Sequence, residues 1–79
     1  MKVRTFEYDG RQFEVRTALV GQQHVVRVFE NGAYANKVEY SVTLETALDA
    51  YPWDVVSELM DIAQKDFVRW SDWRKKQEA

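Results

Sequence analysis

The chain of 79 residues has the size of one small domain, and it contains no cysteine. Disulfide bonds, thiolate catalysis and thiolate metal sites are therefore excluded. An apolar content of 46%, with four Phe, four Tyr and three Trp, is too high for an intrinsically disordered chain. We expect a single domain over residues 1–79 with a core near the lower size limit, so that dimerisation would add stability.

The first residues alternate polar and apolar side chains and contain no apolar run long enough for a signal peptide or a membrane span, which predicts a cytoplasmic location. The net charge of -2 is unevenly distributed: residues 41–68 hold six acidic and one basic side chain, whereas residues 69–79 hold four basic and two acidic ones. Because phosphate neutralisation supplies most of the affinity of general nucleic-acid binders, this balance disfavours that class and leaves it as an alternative.

Two dipeptides, Asp9-Gly10 and Asn31-Gly32, lie between alternating apolar residues and predict two-residue type I′ turns. The first turn joins strands over about residues 2–8 and 11–19, with Phe6 opposite Phe13 on the core face. Because side chains alternate between the faces of a sheet, this register assigns every residue of the hairpin to one face.

The connection around Gly21 is predicted as a three-residue loop, Val20-Gly21-Gln22, followed by strands over about residues 23–30 and 33–42. This loop places Phe29 opposite Phe13. A two-residue loop would shift the register by one and move Val25 and Phe29 to the other face, so continuity of the core favours the longer loop. The predicted core face of the third and fourth strands contains Val25, Phe29, Tyr34, Val38, Tyr40 and Val42.

The opposite face of the sheet is predicted to be open and to lack the aromatic side chains that sheet-based RNA-binding domains use for stacking. Its predicted register places His24 against Glu39. It also presents a modest apolar strip that a partner could cover. The strip consists of Val3, Val26, Val28 and Ala35.

Beyond Thr43 the apolar period changes from two to about 3.6 residues, which predicts a short helix and then a long helix from Pro52 to about Lys75. The fold class is therefore α+β, with a four-stranded antiparallel β-meander over residues 1–43, a helical part over residues 44–76 that packs on one face, and a frayed tail at residues 77–79. The stripe predicted to face the sheet contains Trp53, Val56, Leu59, Met60, Ala63, Phe67 and Trp70. A second apolar stripe beside it contains Val55, Ile62 and Trp73.

The long helix, at roughly 35 Å, exceeds the roughly 27 Å of an eight-residue strand, so its last turns are expected to overhang the sheet. Trp70 and Trp73 both lie on this overhang. Trp70 belongs to the sheet-facing stripe and is expected in the core, whereas Trp73 suits the core and an interface equally well.

His24 is the one histidine of the chain. A His–Glu pair can transfer protons, but catalysis also needs a nucleophile or a second acid in a concave site, and neither can be located. One imidazole provides too few ligands for a metal site, and the three glycines are all used in turns, which leaves no phosphate-binding loop. We therefore expect a non-catalytic protein that needs no cofactor or metal.

The leading hypothesis is a small interaction domain that self-associates as a homodimer, with another protein as the other possible partner, through the helix overhang or the open sheet face. The candidate contacts are Val55, Ile62, Trp70, Trp73, Val26 and Val28. The alternative is a nucleic-acid-binding module in which basic side chains of the sheet and the tail contact phosphates. Its candidate contacts are Arg16, Lys37, Arg69, Arg74, Lys75 and Lys76. No membrane partner is expected.

Overall fold

The computed structural model describes residues 2–78, which form one antiparallel sheet and two helices. The strands are β1 (Val3–Tyr8), β2 (Arg11–Val20), β3 (Gln23–Glu30), β4 (Ala33–Tyr34) and β5 (Tyr40–Thr43), and the helices are α1 (Leu44–Asp49) and α2 (Val55–Glu78). The sheet order is β1-β2-β3-β4, and β5 also pairs with β3. The predicted α+β meander with a short helix and a long C-terminal helix is confirmed.

The two Asx-Gly turns are as predicted. Asp9 and Gly10 have φ angles of 55° and 74°, and Asn31 and Gly32 have φ angles of 53° and 81°. Positive φ at both central residues is the mark of a type I′ turn, which matches the twist of the strands that it joins. The first hairpin has the predicted register, with Phe6 opposite Phe13.

The predicted three-residue loop between β2 and β3 is wrong. Val20 pairs directly with Gln23, so the turn contains only Gly21 and Gln22. Gly21 has a φ of 60°, and glycine in the first position of a two-residue turn is typical of type II′, which needs positive φ at that position.

The shorter turn reverses the faces of β3. Val26 and Val28 are 0% and 2% exposed and pack in the core beneath α2, whereas Val25 and Phe29 project from the other face, opposite Ala18 and Glu14 respectively. The prediction that Val26 and Val28 form an exposed strip for a partner is therefore wrong. The predicted strip is absent because its central members fill the core instead.

The predicted fourth strand is interrupted. β4 pairs Tyr34 with Phe29, as predicted, but residues 35–39 are irregular and β5 resumes with Tyr40 opposite Val26. In an uninterrupted strand, residues 34 and 40 would lie on one face because side chains alternate. The irregular segment shifts the register by three residues, so that Tyr34 faces outward while Tyr40 faces α2.

The core lies between the sheet and α2. Phe67 sits at its centre, with its ring centroid 4.8 Å from that of Phe13 and 6.0 Å from that of Phe6. Ala63 and Met60, one and two turns earlier on the same helical face, are 1% and 2% exposed. The sheet-facing stripe of the long helix is thus confirmed at these three positions.

The helix boundaries follow from their caps. The hydroxyl oxygen of Thr43 accepts a hydrogen bond of 3.1 Å from the Thr46 amide at the start of α1. The carboxylate of Asp54 accepts one of 3.0 Å from the Ser57 amide, which makes Asp54 the N-cap of α2. Pro52, predicted as the first helical residue, lies instead in the connection, where its bond to Tyr51 is cis. Trp53 lies there too and is 62% exposed, so its predicted place in the core stripe is wrong.

The prediction that the last turns of α2 extend beyond the sheet is wrong as far as Lys75, because these turns contact the first hairpin. The Tyr8 hydroxyl donates a hydrogen bond to Asp72, and the Lys75 ammonium lies 3.0 Å from the carboxylate of Asp9. α2 begins three residues later than predicted and β2 has ten residues, so the first hairpin turn reaches the last turns of the helix.

Candidate functional site

An apolar groove lies between α2 and the irregular segment that precedes β5. Its volume is about 430 Å³, and we refer to it as the tryptophan groove. It is lined by Asn36, Val38, Tyr40, Asp66, Arg69, Trp70 and Trp73. Trp73, Val38 and Trp70 are 58%, 46% and 41% exposed. Three large apolar side chains are thus left partly uncovered around one concavity.

Trp70 is held by neighbours on its own helix. Its ring centroid lies 6.1 Å from that of Phe67, and the guanidinium of Arg74 lies 5.0 Å from the Trp70 ring. The core placement predicted for Trp70 is therefore only partly met, because the ring touches the core at Phe67 and leaves much of its surface open. Trp73, one turn further along, is the more exposed of the two.

Tyr40 and Asp66 form the polar floor of the groove. The Tyr40 hydroxyl donates a hydrogen bond of 2.5 Å to Oδ2 of Asp66, which ties β5 to the middle of α2. Burial of the phenol and this hydrogen bond raise the pKa of Tyr40 to about 12. Arg69 Nη1 lies 4.0 Å from Oδ1 of Asp66, and the Arg69 side chain is 81% exposed.

The basic residues near the C-terminus are largely paired within the chain. Lys75 binds Asp9 and lies 4.7 Å from the Tyr8 ring centroid, and the hydrogen bond with Asp9 raises the pKa of Lys75. Arg74 donates a hydrogen bond of 3.2 Å to Glu78. These partners reduce the positive potential available to a phosphate, whereas Lys76 is exposed at the end of α2.

The open sheet face contains aromatic rings, contrary to prediction. Phe29 and Tyr34 pair across β3 and β4 with ring centroids 5.1 Å apart. The guanidinium of Arg16 lies 4.6 Å from the Phe29 ring and that of Arg27 lies 3.5 Å from the Tyr34 ring. The shorter turn at Gly21 is the cause, because it turns Phe29 outward.

Each arginine of this aromatic cluster also has an acidic neighbour. Arg16 lies 2.6 Å from Glu14, and Arg27 lies 3.5 Å from Glu39. Arg27 is only 19% exposed, and its Nε has no hydrogen-bond partner within the described part of the chain. Lys37, the other predicted sheet cation, lies in the irregular segment and is exposed.

The predicted pairing of His24 with Glu39 is wrong. His24 lies opposite Leu19 on β2 and opposite Val42 on β5, while Glu39 contacts Arg27 on the other face. The error arises because the irregular segment 35–39 shifts the pairing of the chain with β3 by three residues before β5 begins. The half-buried imidazole lines a separate depression that also contains Lys2 and Asp54.

Among the predicted partner contacts, the structure brings Trp70 and Trp73 together in the tryptophan groove. Ile62 is 41% exposed further toward the start of α2, and Val55 is the half-buried first residue of that helix. Val38 was predicted on the core face but is 46% exposed here, and Asp66 was not predicted as a contact residue. The spacing of Asp66 from Ile62 and Trp73 on one side of the helix was the signal available for it.

Residues 2–78 contain no cluster of three or more His, Asp or Glu side chains suited to a metal ion. Within the same range, neither helix combines the length and the apolar character required to cross a membrane. Comparison with models of protein families, with curated proteins and with solved structures found no match to this chain.

Proposed function

We propose that this protein is a small, non-catalytic interaction domain that self-associates through the tryptophan groove. The observation that supports this most is the exposure of Trp70, Trp73 and Val38 around one concavity. Exposed apolar surface concentrated in one place is typical of contact sites, and tryptophan is enriched among the residues that dominate binding energy.

The polar groups of the groove support binding rather than reaction. The Tyr40 hydroxyl has a pKa of about 12, so it keeps its proton at neutral pH. The carboxylate of Asp66 already accepts the hydrogen bond from this hydroxyl. Among the residues that the structure describes, the lining of the groove contains no Ser, Thr, Cys, Lys or His side chain that could act as a nucleophile beside Asp66, and Asp66 and Tyr40 hold β5 and α2 together.

Sedimentation equilibrium of the whole chain tests this function. We expect a monomer–dimer equilibrium that Trp73→Ala weakens by roughly thirtyfold, since loss of a central tryptophan costs about 2 kcal/mol at many interfaces. Trp53→Ala is the matched control, because Trp53 is 62% exposed but lies outside the groove. A wild-type chain that stays monomeric at millimolar concentration would contradict the proposal.

The second candidate function is nucleic-acid binding by the open sheet face. It is favoured by the cluster of Phe29, Tyr34, Arg16 and Arg27, which combines aromatic rings with cations on an exposed sheet. Such faces stack bases and contact phosphates in single-strand-binding domains. It ranks second because Glu14 and Glu39 offset the charges of both arginines.

A titration with single-stranded oligonucleotides at low salt distinguishes this second function. Binding should weaken steeply as salt rises, because phosphate contacts release counterions. Tyr34→Ala should weaken it further, whereas Tyr51→Ala, which removes a ring that is 83% exposed outside the cluster, should not. Equal signals for both variants, or no salt dependence, would exclude the open face as a nucleic-acid site.

A further inference from the structure

Four side chains on the groove side of α2 follow the spacing of a two-helix seam. Ile62, Asp66, Arg69 and Trp73 are separated by four, three and four residues, which is the alternation of core positions in a heptad repeat. Ile62 and Trp73 are 41% and 58% exposed, and the side chains of Asp66 and Arg69 are 45% and 81% exposed. All four side chains are therefore accessible to a neighbouring helix.

The order of these residues fits a second copy running in the opposite direction. In an antiparallel pair related by a two-fold axis, each seam residue meets the seam residue at the mirrored position of the other chain. With the axis between residues 67 and 68, Asp66 of each copy meets Arg69 of the other. Ile62 of each copy meets Trp73 of the other. The first pairing brings opposite charges together, and the second brings two large apolar side chains together.

The contacts within one chain leave this charge pair available. Asp66 uses Oδ2 for the Tyr40 hydroxyl, and its Oδ1 is 4.0 Å from Arg69 Nη1, too far for a hydrogen bond. Tyr40 thus fixes the orientation of the carboxylate while one oxygen remains open. Arg69, as the most exposed member of the seam, can reach a carboxylate on a neighbouring helix.

The charge distribution along α2 supports the same direction. Residues 55–68 carry three acidic and one basic side chain, and residues 69–78 carry four basic and two acidic ones. An antiparallel arrangement places the basic half of each helix beside the acidic half of the other. A parallel arrangement would place the two basic halves together, and like-charge juxtaposition is costly at an interface.

We propose that the occupant of the tryptophan groove is a second copy of this chain, with its α2 antiparallel and with two reciprocal Asp66–Arg69 pairs at the centre. This inference rests on the proposed self-association and adds its direction and register. The polar pair in the seam sets the register, a role that buried polar residues have in coiled coils. Trp73 and Ile62 supply the apolar contact on each side of it.

Charge complementation between two variants tests the register. Arg69→Glu and Asp66→Lys each place like charges at the centre of the homodimer, and we expect each to weaken self-association at least tenfold. Mixed in equal amounts, they restore both attractive pairs, so heterodimers should form with a dissociation constant within about threefold of the wild-type value. Analytical ultracentrifugation with one variant fluorescently labelled measures this directly, and circular dichroism verifies that each variant is folded.

Glu7→Lys is the control, because it makes the same charge change as Asp66→Lys on the opposite, open face of the sheet. It should leave self-association unchanged. A wild-type dimer whose two seam variants do not recover on mixing would overturn the register and leave the proposed function intact. A wild-type monomer would overturn both. Selective binding of a different protein at the groove by a monomeric chain would likewise overturn the second copy as occupant.

Discussion

At the scale of single residues, Asp54 concentrates several interactions in one carboxylate. It caps α2 through the Ser57 amide and lies 2.6 Å from the Lys2 ammonium. The hydrogen bond from Lys2 and those from the backbone and side chain of Ser57 hold the pKa of Asp54 well below its usual range. The carboxylate therefore links the start of the sheet to the start of the long helix.

Replacement of Asp54 should destabilise the fold in a pH-dependent way. We expect Asp54→Ala to lower the melting temperature by about 5 °C at pH 7, the usual effect of losing a cap in a small domain. Because the folded pKa is depressed, the contribution of the charge is complete above the unfolded pKa of about 3.9 and is lost as pH falls further. Thermal melts followed by circular dichroism between pH 7 and pH 3 measure both effects. Asp54→Asn, which keeps the cap acceptor, should lose less at pH 7 and show a weaker dependence on acid.

Tyr40 provides a second test at this scale, at the opposite end of the pH range. Burial and the hydrogen bond to Asp66 raise its pKa to about 12, above the ordinary value of about 10. Between these values the unfolded chain releases the proton and the folded chain retains it, so stability should fall as pH rises from about 10 to 12. Ultraviolet absorbance of tyrosinate should show late titration of Tyr40 and also of Tyr8, because the hydrogen bond from Tyr8 to Asp72 raises the pKa of Tyr8 as well. The difference between the wild type and Tyr40→Phe isolates the signal of Tyr40.

Asp66→Asn should shift the titration of Tyr40 toward lower pH, because the carboxylate that disfavours the phenolate is removed. Asp72→Asn is the matched control, since Asp72 accepts a hydrogen bond from Tyr8 and raises the pKa of that tyrosine. It should shift the titration of Tyr8 and leave that of Tyr40 unchanged. A Tyr40 titration that stays unchanged in Asp66→Asn would contradict the contact between β5 and α2.

At the scale of elements, the register of β3 is the feature on which the rest of the sheet depends. Val28 is 2% exposed in the core, whereas Val20 at the end of β2 is 60% exposed. Threonine has nearly the shape of valine but adds a hydroxyl, which is costly to bury without a partner. We expect Val28→Thr to reduce the free energy of unfolding by about 1–3 kcal/mol, and Val20→Thr to change it by less than about 0.5 kcal/mol. Urea denaturation of both variants measures the difference, and similar losses would argue against this register.

The turns show which parts of such a fold are predictable from local sequence. Asp9-Gly10 and Asn31-Gly32 were predicted correctly because positive φ at two successive residues is a local requirement that few dipeptides meet. A glycine such as Gly21 is compatible with a two-residue turn and with a three-residue turn, because both use a residue with positive φ. The choice between them depended on which valines of β3 face the core, and the adjacent Val25 and Val26 suit either register.

The tryptophan groove was predictable on one side only. Trp70 and Trp73 stand out from the helical spacing, but the opposite wall is formed by Val38 and Tyr40. The position of that wall depends on the irregular segment 35–39 and on the hydrogen bond between Tyr40 and Asp66, which are 26 residues apart in the chain. Contacts of this kind leave no local periodic pattern. The aromatic cluster on the open face was missed for the same reason, since its exposure follows from the turn at Gly21.

At the scale of the whole molecule, α2 determines the shape and the geometry of the proposed dimer. The chain measures 45 × 21 × 19 Å, and α2 contains 24 of its residues. The side of α2 that faces away from the sheet is exposed over several turns. A second helix can therefore pack against it over the same length. The direction of that second helix decides which ends of the two molecules meet.

A distance measurement between the two C-terminal ends distinguishes the directions. The chain has no cysteine, so Gln77→Cys introduces one site for a nitroxide label near the end of α2. For antiparallel helices with the axis between residues 67 and 68, a rise of 1.5 Å per residue and an interaxial separation of about 10 Å place the two Cα atoms roughly 30 Å apart. A parallel pair would bring them to about 10 Å. Pulsed electron spin resonance on frozen samples should give a distance near the longer value, and dilution with unlabelled protein should reduce the dipolar signal because mixed dimers carry one label. A short distance that disappears on the same dilution would establish a parallel dimer and contradict the reciprocal Asp66–Arg69 pairs.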